Sequence, residues 1–213
     1  MVGMILVTTL GFDEKFALRA IFRRGLRAGD RVIFIVPEDE DPRAEKAFST
    51  LQQIVFRSIP EASVERFRIP VRDFPKAVSL IRKLAISLLR SGEKIILNLS
   101  GGQRIAILEV LAGFLSCGAS NIEVEVESED SSTLAIFPLI MMTNIELDHE
   151  DVNIINILTQ SPKRFNEIRS AAGISKSSTW RRLKKLIDLG LVEKADDKYK
   201  LTELGQSRIT NDP

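Results

Sequence analysis

The feature that most constrains the fold is an alternation of short apolar runs with longer amphipathic stretches over the first two thirds of the chain. The short runs fit strands that are buried on both faces, and the amphipathic stretches are long enough to be crossover helices. The pattern predicts strands at 4–9, 31–36, 63–69, 94–99 and 122–127. It predicts helices at 13–28, 42–57, 73–91 and 103–117. The predicted fold class is therefore α/β with a mainly parallel sheet.

A hairpin should follow the fifth strand, because a polar turn at 128–132 separates that strand from another β-prone run at 133–141. This run would add an antiparallel edge to the sheet. The 213 residues are enough for two domains. We predict a sheet domain at 1–142, a short and stiff linker at 143–149, and a helical domain at 150–213.

The strand at 94–99 ends at a Gly-Gly turn, and a predicted helix starts directly after that turn. Adjacent glycines let the backbone approach a ligand closely, and their amides join the unpaired N–H groups of the helix start. Arg104, in the first helical turn, adds charged donors that suit phosphate. The alternative is a plain β–α connection whose glycines only allow a tight turn.

A second candidate ligand segment follows the first strand, where two hydroxyls and a glycine precede a helix. In a parallel sheet, ligands collect at the carboxyl ends of strands near the switch in strand order. We expect Thr9 and Asn98 to bond ribose or base edges, whereas Asp13 has an alternative role as a helix cap. The candidate ligand residues share these two strand ends and are Thr8, Thr9, Leu10, Gly11, Phe12, Asp13, Asn98, Ser100, Gly101, Gly102, Gln103 and Arg104.

The C-terminal domain has the element order of a winged helix-turn-helix. Periodic apolar residues predict two helices between 150 and 172, Gly173 ends the second, and Ser175 caps a third. Runs at 191–194 and 198–201 predict a hairpin wing. The third helix should bury a stripe formed by Trp180, Leu183, Leu186 and Ile187.

The other side of the third helix is basic and polar, which favours contact with a DNA major groove. The wing adds three lysines. The acids Asp196 and Asp197 at the wing tip would repel phosphate, so a winged helix that docks a protein is the alternative. The predicted DNA contacts are the polar residues of this helix and wing, namely Ser175, Lys176, Ser177, Ser178, Thr179, Arg181, Arg182, Lys185, Lys194, Lys198 and Lys200.

Several function classes lack their usual residues. Neither G-x-G-x-x-G nor G-x-x-x-x-G-K-[ST] occurs in the chain. With His149 and Cys117 as the lone histidine and cysteine, we expect no disulfide, no metal site and no cofactor. No apolar run reaches the roughly 18 residues of a membrane span, so we expect a cytoplasmic protein that does not bind membranes.

A basic stripe recurs on the first predicted helix at every fourth residue, from Lys15 through Arg19 and Arg23 to Arg27. A basic stripe on a helix is typical of a solvated face, and it is also compatible with a nucleic-acid surface. Because the same helix needs a face for packing on the sheet, we interpret the stripe as solvated.

With these segments in hand, the chain resembles the CRISPR-associated Rossmann-fold (CARF) regulators, specifically the CARF plus winged-helix transcription factors of archaeal type I-A CRISPR systems. The family's first motif follows strand one and is matched here by residues 9–13, and its second follows strand four and is matched by residues 100–104. The resemblance implies a Rossmann-like CARF domain in a homodimer. It also implies that the dimer binds cyclic tetra-adenylate across its two-fold axis and that the winged helices bind double-stranded promoter DNA of CRISPR genes or arrays.

The same resemblance implies a sensor rather than an enzyme. The HEPN ribonuclease motif of some relatives cannot form, because Asn144 stands where an arginine would have to precede His149. Other relatives are ring nucleases with varied catalytic residues, so cleavage of cyclic oligoadenylate by Ser100, Thr9 or Arg104 is one alternative. A winged-helix regulator with another nucleotide effector is a second alternative.

Overall fold

The computed structural model describes residues 3–39, 41–118 and 122–207. The chain forms two compact units, Met1–Thr143 and Asn144–Pro213. In the first unit the elements are β1 (Met4–Thr9), α1 (Lys15–Arg24), β2 (Arg31–Pro37), α2 (Pro42–Ser58), β3 (Ser63–Ile69), α3 (Phe74–Leu89), β4 (Lys94–Asn98), α4 (Arg104–Leu115), β5 (Ile122–Glu127) and β6 (Leu134–Pro138), followed by a 3-10 helix at Leu139–Met142.

The sheet of the first unit has the strand order β3-β2-β1-β4-β5-β6. The neighbours from β3 to β5 pair in parallel, and β6 pairs antiparallel to β5. The predicted α/β class with a Rossmann-like, mainly parallel sheet and an antiparallel edge is confirmed. No helix in the described ranges is both long enough and apolar enough to cross a membrane.

Two helix pairs cover the two faces of this sheet. Alternate residues of β1 point to opposite faces, so Ile5 packs in the cluster with α3 and α4, and Leu6 packs in the cluster with α1 and α2. Both side chains have 0% exposure. The short apolar runs of the sequence are therefore strands buried on both faces, and each fully buried Ile or Leu contributes about 1.5–3 kcal/mol of transfer free energy.

The helix α1 is shorter than the predicted span of 13–28. It ends at Arg24 because Gly25 adopts a left-handed φ of 59°, and the Gly25 N–H bonds to the Phe22 carbonyl. The predicted strand at 133–141 is also shorter, since it ends at Pro138 and a 3-10 helix follows.

The stripe of α1 is partly solvated and partly paired: Arg19 and Arg27 stay exposed, whereas two of its four residues, Arg19 and Arg23, form ion pairs with β5. The carboxylates of β5 point from alternate positions toward α1 and form ion pairs with its arginines. The side chain of Glu125 has 0% exposure within this layer. The pairs are Arg19 with Glu127, Arg23 with Glu125 and Glu127, and Arg24 with Glu123 and Glu125.

The second unit has the element order of a winged helix. Its elements are α5 (His149–Gln160), β7 (Lys163–Arg164), α6 (Phe165–Ala172), α7 (Lys176–Asp188), β8 (Val192–Ala195), β9 (Lys198–Leu201) and α8 (Glu203–Ser207). The strands form a small sheet in the order β7-β9-β8. Gly173 caps α6 with a φ of 66°, and the Ser175 hydroxyl accepts from the Ser178 N–H at the start of α7.

One carboxyl group in the core of the first unit lacks a partner. Glu109 lies on the buried side of α4 with 0% exposure. Within the described part of the chain, neither of its carboxylate oxygens has a hydrogen-bond partner. Burial raises the pKa of Glu109 above its ordinary value of 4.5. This side chain therefore opposes folding at neutral pH, where the unfolded chain carries it ionised in water.

We predict that Glu109→Leu raises the free energy of unfolding at neutral pH by about 1–3 kcal/mol, because an apolar side chain needs no hydrogen-bond partner there. In the wild type the folded pKa exceeds the unfolded pKa, so stability falls as pH rises from about 4.5 through the folded pKa. In the variant, this pH-dependent loss of unfolding free energy should be absent. Urea denaturation at pH 4 and pH 8 measures the difference, and equal pH dependence in the two proteins would contradict the prediction.

Candidate functional site

The turns at 9–13 and 100–104 meet above the carboxyl ends of β1 and β4. These strands are neighbours in the sheet and lie where the strand order reverses, which is the usual ligand position in such sheets. A Cβ on Gly11 would lie 2.9 Å from the Gly102 Cα, and a Cβ on Gly102 would lie 3.2 Å from the Thr9 Cβ. Gly102 also has a φ of 88°. Both glycines are therefore required for the two turns to touch.

Buried polar side chains hold these turns from below. The Thr9 hydroxyl donates to the Gly101 carbonyl at 2.5 Å, and the Thr8 hydroxyl donates to the Asn98 side-chain oxygen at 3.2 Å. The Asn98 oxygen also accepts from the Ser100 N–H at 3.3 Å. Thr8, Thr9 and Asn98 have 0–1% exposure. Their expected direct contact with a ligand is therefore corrected, because in this structure their polar atoms position the glycine turn.

The ion pairs between α1 and β5 are connected to the glycine turn, because Glu125 also bonds to Asn98. The Asn98 amide donates to the Glu125 carboxylate at 2.6 Å, and the other oxygen of that carboxylate accepts from the Arg24 Nε at 2.7 Å. The Ser100 hydroxyl accepts from the Glu127 N–H at 2.9 Å. The glycine turn is thus anchored to two strands and, through Glu125, to α1.

An open cavity of about 560 Å³ lies over the turns, within the roughly 300–1,000 Å³ typical of small-molecule sites. Of the remaining predicted ligand residues, Leu10 is buried with 2% exposure, and neither Leu10 nor Arg104 lines this cavity. Lys15, Phe16 and Glu129 line the cavity but were not predicted. The lining residues are Gly11, Phe12, Asp13, Lys15, Phe16, Ser100, Gly101, Gly102, Gln103 and Glu129.

The start of α4 suits an anion, although the charged residues that line the cavity are Lys15 and the two acids Asp13 and Glu129. The helix α4 begins at Arg104 with no acid in its first turn, and its N-cap Gln103 makes no side-chain cap bond. Its free N–H groups therefore stay available for a ligand. The Arg104 side chain is 94% exposed, and its contact with Glu129 is long at 3.8 Å.

Asp13 has a local structural role beside the same cavity. Its carboxylate accepts from the Lys15 N–H at 2.9 Å and pairs with the Lys15 ammonium at 3.4 Å. The N-cap of α1 is Glu14 and has no side-chain cap bond, so Asp13 lies one residue before the cap position, and its contacts with Lys15 are local. Across the described residues, no group of histidine, cysteine, aspartate and glutamate side chains is arranged to hold a metal ion.

Two residues of the predicted DNA-facing set, Arg182 and Lys185, form ion pairs with acids at the start of α5. The Arg182 guanidinium bonds to Asp148 at 2.6 and 2.7 Å, to Glu150 at 2.5 Å and to Asp151 at 2.8 Å. Its side chain is only 15% exposed. Lys185 pairs with Asp151 at 2.5 Å. The acids at the start of α5 correct the prediction that Arg182 faces a DNA groove, whereas Lys185 is paired but its side chain stays 43% exposed.

The exposed side of α7 differs from the predicted one, because residues expected to be buried are exposed and one expected to be exposed is buried. Trp180 was expected in the buried stripe but is 59% exposed, and Ile187 is 37% exposed. Thr179 was expected to face DNA but has 0% exposure, and its hydroxyl donates to the Ser175 carbonyl. The Lys184 ammonium lies 5.5 Å from the Trp180 ring centroid. The exposed polar and aromatic face consists of Lys176, Ser177, Trp180, Arg181 and Lys184.

The wing keeps its lysines at the surface. Lys194 lies 5.9 Å from the Tyr199 ring centroid, and Lys198 is exposed. Lys200 is partly exposed and pairs with Glu193 at 2.9 Å. The wing also exposes three acids, Glu193, Asp196 and Asp197, so the basic surface of the second unit lies on the exposed face of α7.

Two protein-family models match the chain, one within each of the two units. The family model of the Csa3 CRISPR-associated Rossmann-like domain matches residues 4–138. The family model of the N-terminal domain of the methanogenesis regulatory protein FilR1 matches residues 150–210. A comparison with curated protein sequences finds no match.

Solved structures share the fold at low sequence identity. Protein VC1899 from Vibrio cholerae is 15% identical with a TM-score of 0.50, and the match covers 96% of this chain and 63% of that one. Csm6 from Enterococcus italicus, bound to cyclic hexa-2'-fluoro-hexa-dAMP, is 11% identical with a TM-score of 0.51, and the match covers 88% of this chain and 55% of that one. The chain thus spans less than two thirds of either relative's length. Since the Csa3 domain covers residues 4–138 and a regulatory domain follows, the chain belongs to the Csa3 family of CRISPR-associated proteins, with a Rossmann-like CARF domain.

Proposed function

We propose that this protein is a homodimeric transcription regulator that binds cyclic tetra-adenylate at its CARF domain and promoter DNA through its winged helix. The observation that carries the proposal is the pair of touching glycine turns under an open cavity, with the exposed Arg104 beside the start of α4. That arrangement suits a phosphate-bearing ligand. The Csa3-type domain and the bound cyclic oligonucleotide of E. italicus Csm6 support a cyclic oligoadenylate.

The proposed ligand contacts are made by backbone amides of the glycine turn and by two nearby cationic side chains. The amides of Gly101 and Gly102 face phosphate, Arg104 pairs with it, and Lys15 adds a second cation at the cavity wall. The hydroxyls of Thr9 and Ser100 already make protein bonds, which favours binding over cleavage. Incubation with cyclic tetra-adenylate tests this point, and the appearance of linear products would identify a ring nuclease instead.

A symmetric dimer suits a symmetric ring, because equivalent turns of two copies can meet equivalent phosphates. Large apolar side chains stay exposed along α4 and the β6 edge, with Leu108 at 56% and Ile136 at 48%. Exposed apolar surface of this kind marks protein interfaces. We assign this edge of the first unit to contact with a second copy.

We predict that calorimetric titration gives one cyclic tetra-adenylate per two chains and that Arg104→Ala weakens binding about tenfold or more. The reason is the loss of a charge-assisted bond worth about 1.5–3 kcal/mol. Arg57→Ala removes an exposed arginine of α2 and is the matched control, with unchanged affinity expected. Absence of wild-type binding would reject this ligand. Tight binding of another nucleotide would then favour the alternative effector.

We predict that Arg181→Ala and Lys184→Ala weaken binding to promoter duplexes without changing ligand affinity, because both side chains face solvent on α7. Each lost phosphate contact should lower the salt slope of log K by about 0.9, whereas a lost base contact should cost roughly 1–3 kcal/mol and relax specificity. Fluorescence anisotropy over a salt series measures both effects. Unchanged affinity in both variants would exclude this face from the DNA interface and favour a winged helix that docks protein.

Arg182→Ala should act mainly on stability, since it removes a partner of the buried Asp151 carboxylate. We expect a loss of about 1–3 kcal/mol of unfolding free energy. A hydrogen bond from Arg182 also lowers the pKa of Asp148 to about 2. Because Asp148 becomes protonated as pH falls from 4 toward 2, the difference in free energy of unfolding between the wild type and the variant should become smaller over this range. Denaturation across this pH range is the measurement. If the variant is as stable as the wild type but binds DNA more weakly, the prediction is wrong and Arg182 contacts DNA directly.

A further inference from the structure

We propose that Trp180 gives DNA binding a preference for A·T pairs by contacting the 5-methyl group of thymine in the major groove. The inference rests on the proposed function, since it assigns base specificity to one residue of the DNA-binding face of α7. Trp180 is the single tryptophan of the chain and the fifth residue of α7. In a helix-turn-helix, the N-terminal residues of the second helix contact base edges. The position of Trp180 therefore suits contact with a base.

The charges around Trp180 match a partner that carries phosphate. Lys176 and Lys184 lie four residues before and four residues after it, so all three side chains share one side of the helix. Arg181 is exposed next to it, and α7 carries no acid before Asp188. A DNA groove lined by phosphate has the charge that complements this face.

The indole ring of Trp180 is available to a partner. The residue is 59% exposed, and this exposure is measured with the Lys184 ammonium in place at 5.5 Å from the ring centroid. A tryptophan side chain buries about 150–250 Å² when it is covered, and tryptophan is enriched among the residues that contribute most to binding. The cations of this face bind phosphate whatever the base sequence. Trp180 therefore supplies the apolar contact that the cations cannot make.

The chemistry of the base edges indicates which pair an indole favours. An indole has an apolar ring and one N–H donor, and it has no acceptor. In the major groove both A·T and G·C pairs present acceptors to that donor, so the N–H group does not distinguish them. Only the A·T pair presents a methyl group, which belongs to thymine. An apolar ring gains free energy by covering that methyl group, and Trp180 should therefore favour thymine at the position that it contacts.

Replacement of thymidine by deoxyuridine tests the proposal, because it removes the methyl group and keeps the base pair. The probe is a duplex that the wild-type chain selects from a random pool, made once with each nucleoside. The wild type should bind the deoxyuridine duplex about fourfold or more weakly, which corresponds to the loss of about one buried methyl group. Trp180→Ser should lose this preference, and Trp180→Phe should retain it. Val152→Ala truncates an exposed apolar side chain of α5 and is the matched control, with wild-type behaviour expected. The same preference in the wild type and in Trp180→Ser would overturn the proposal.

Intrinsic fluorescence separates this proposal from the proposed function, because Trp180 is the single tryptophan of the chain. Its emission should change when the thymidine duplex binds, since the ring exchanges water for the base edges. Constant emission, while the anisotropy of a labelled duplex shows binding, would overturn the role of Trp180 and leave the DNA-binding function in place. If neither duplex binds at any salt concentration, both the DNA-binding function and this role of Trp180 are rejected, and the result favours a winged helix that docks protein.

Discussion

The contact between the turns that follow β1 and β4 is the constraint on which the candidate site depends. Gly11 and Gly102 pack so closely that a Cβ on either would meet the other turn at 2.9–3.2 Å. This packing brings two segments about ninety residues apart in the chain under one cavity and leaves the amides of residues 101–103 at its floor. A larger side chain at either position would separate the turns and change the shape of the cavity.

A buried polar layer keeps this contact in place. Asn98 bonds to Thr8, Ser100 and Glu125, and Glu125 in turn pairs with Arg24 of α1. An ionised carboxylate is costly to bury unless it is paired and hydrogen-bonded, and Glu125, unlike Glu109, meets both conditions. The turn is thus positioned by the buried side chains of Thr8, Asn98 and Glu125, which do not line the cavity, whereas Arg104, next to the lining residue Gln103, is 94% exposed.

The sequence predicted what depends on local pattern, namely the strands, the α/β class and the two glycine turns. It did not predict what depends on partners distant in sequence. The arginines of α1 meet the carboxylates of β5, and Arg182 meets Asp148, so basic residues that seemed available for solvent or DNA are already paired. The orientation of α7 depends on which residues the rest of the second unit covers, and this placed Trp180 outside instead of inside. A second cavity, at the carboxyl ends of β1 and β2, is lined from four separate parts of the chain, near Leu10, near Asp41, at Arg66 and at Gln103, so no local sequence pattern indicates it.

In the proposed function the ligand is a signal, which requires that ligand binding at the CARF domain and DNA binding at the winged helix are coupled. The most direct measurement is the affinity of the protein for a promoter duplex with and without saturating cyclic tetra-adenylate. A ligand changes DNA affinity only if it binds the two states of the protein differently, and such coupling typically amounts to about 1–3 kcal/mol. We therefore predict a change of about 5-fold to 150-fold. Identical affinity in the two conditions, with the ring shown to be bound, would contradict the account.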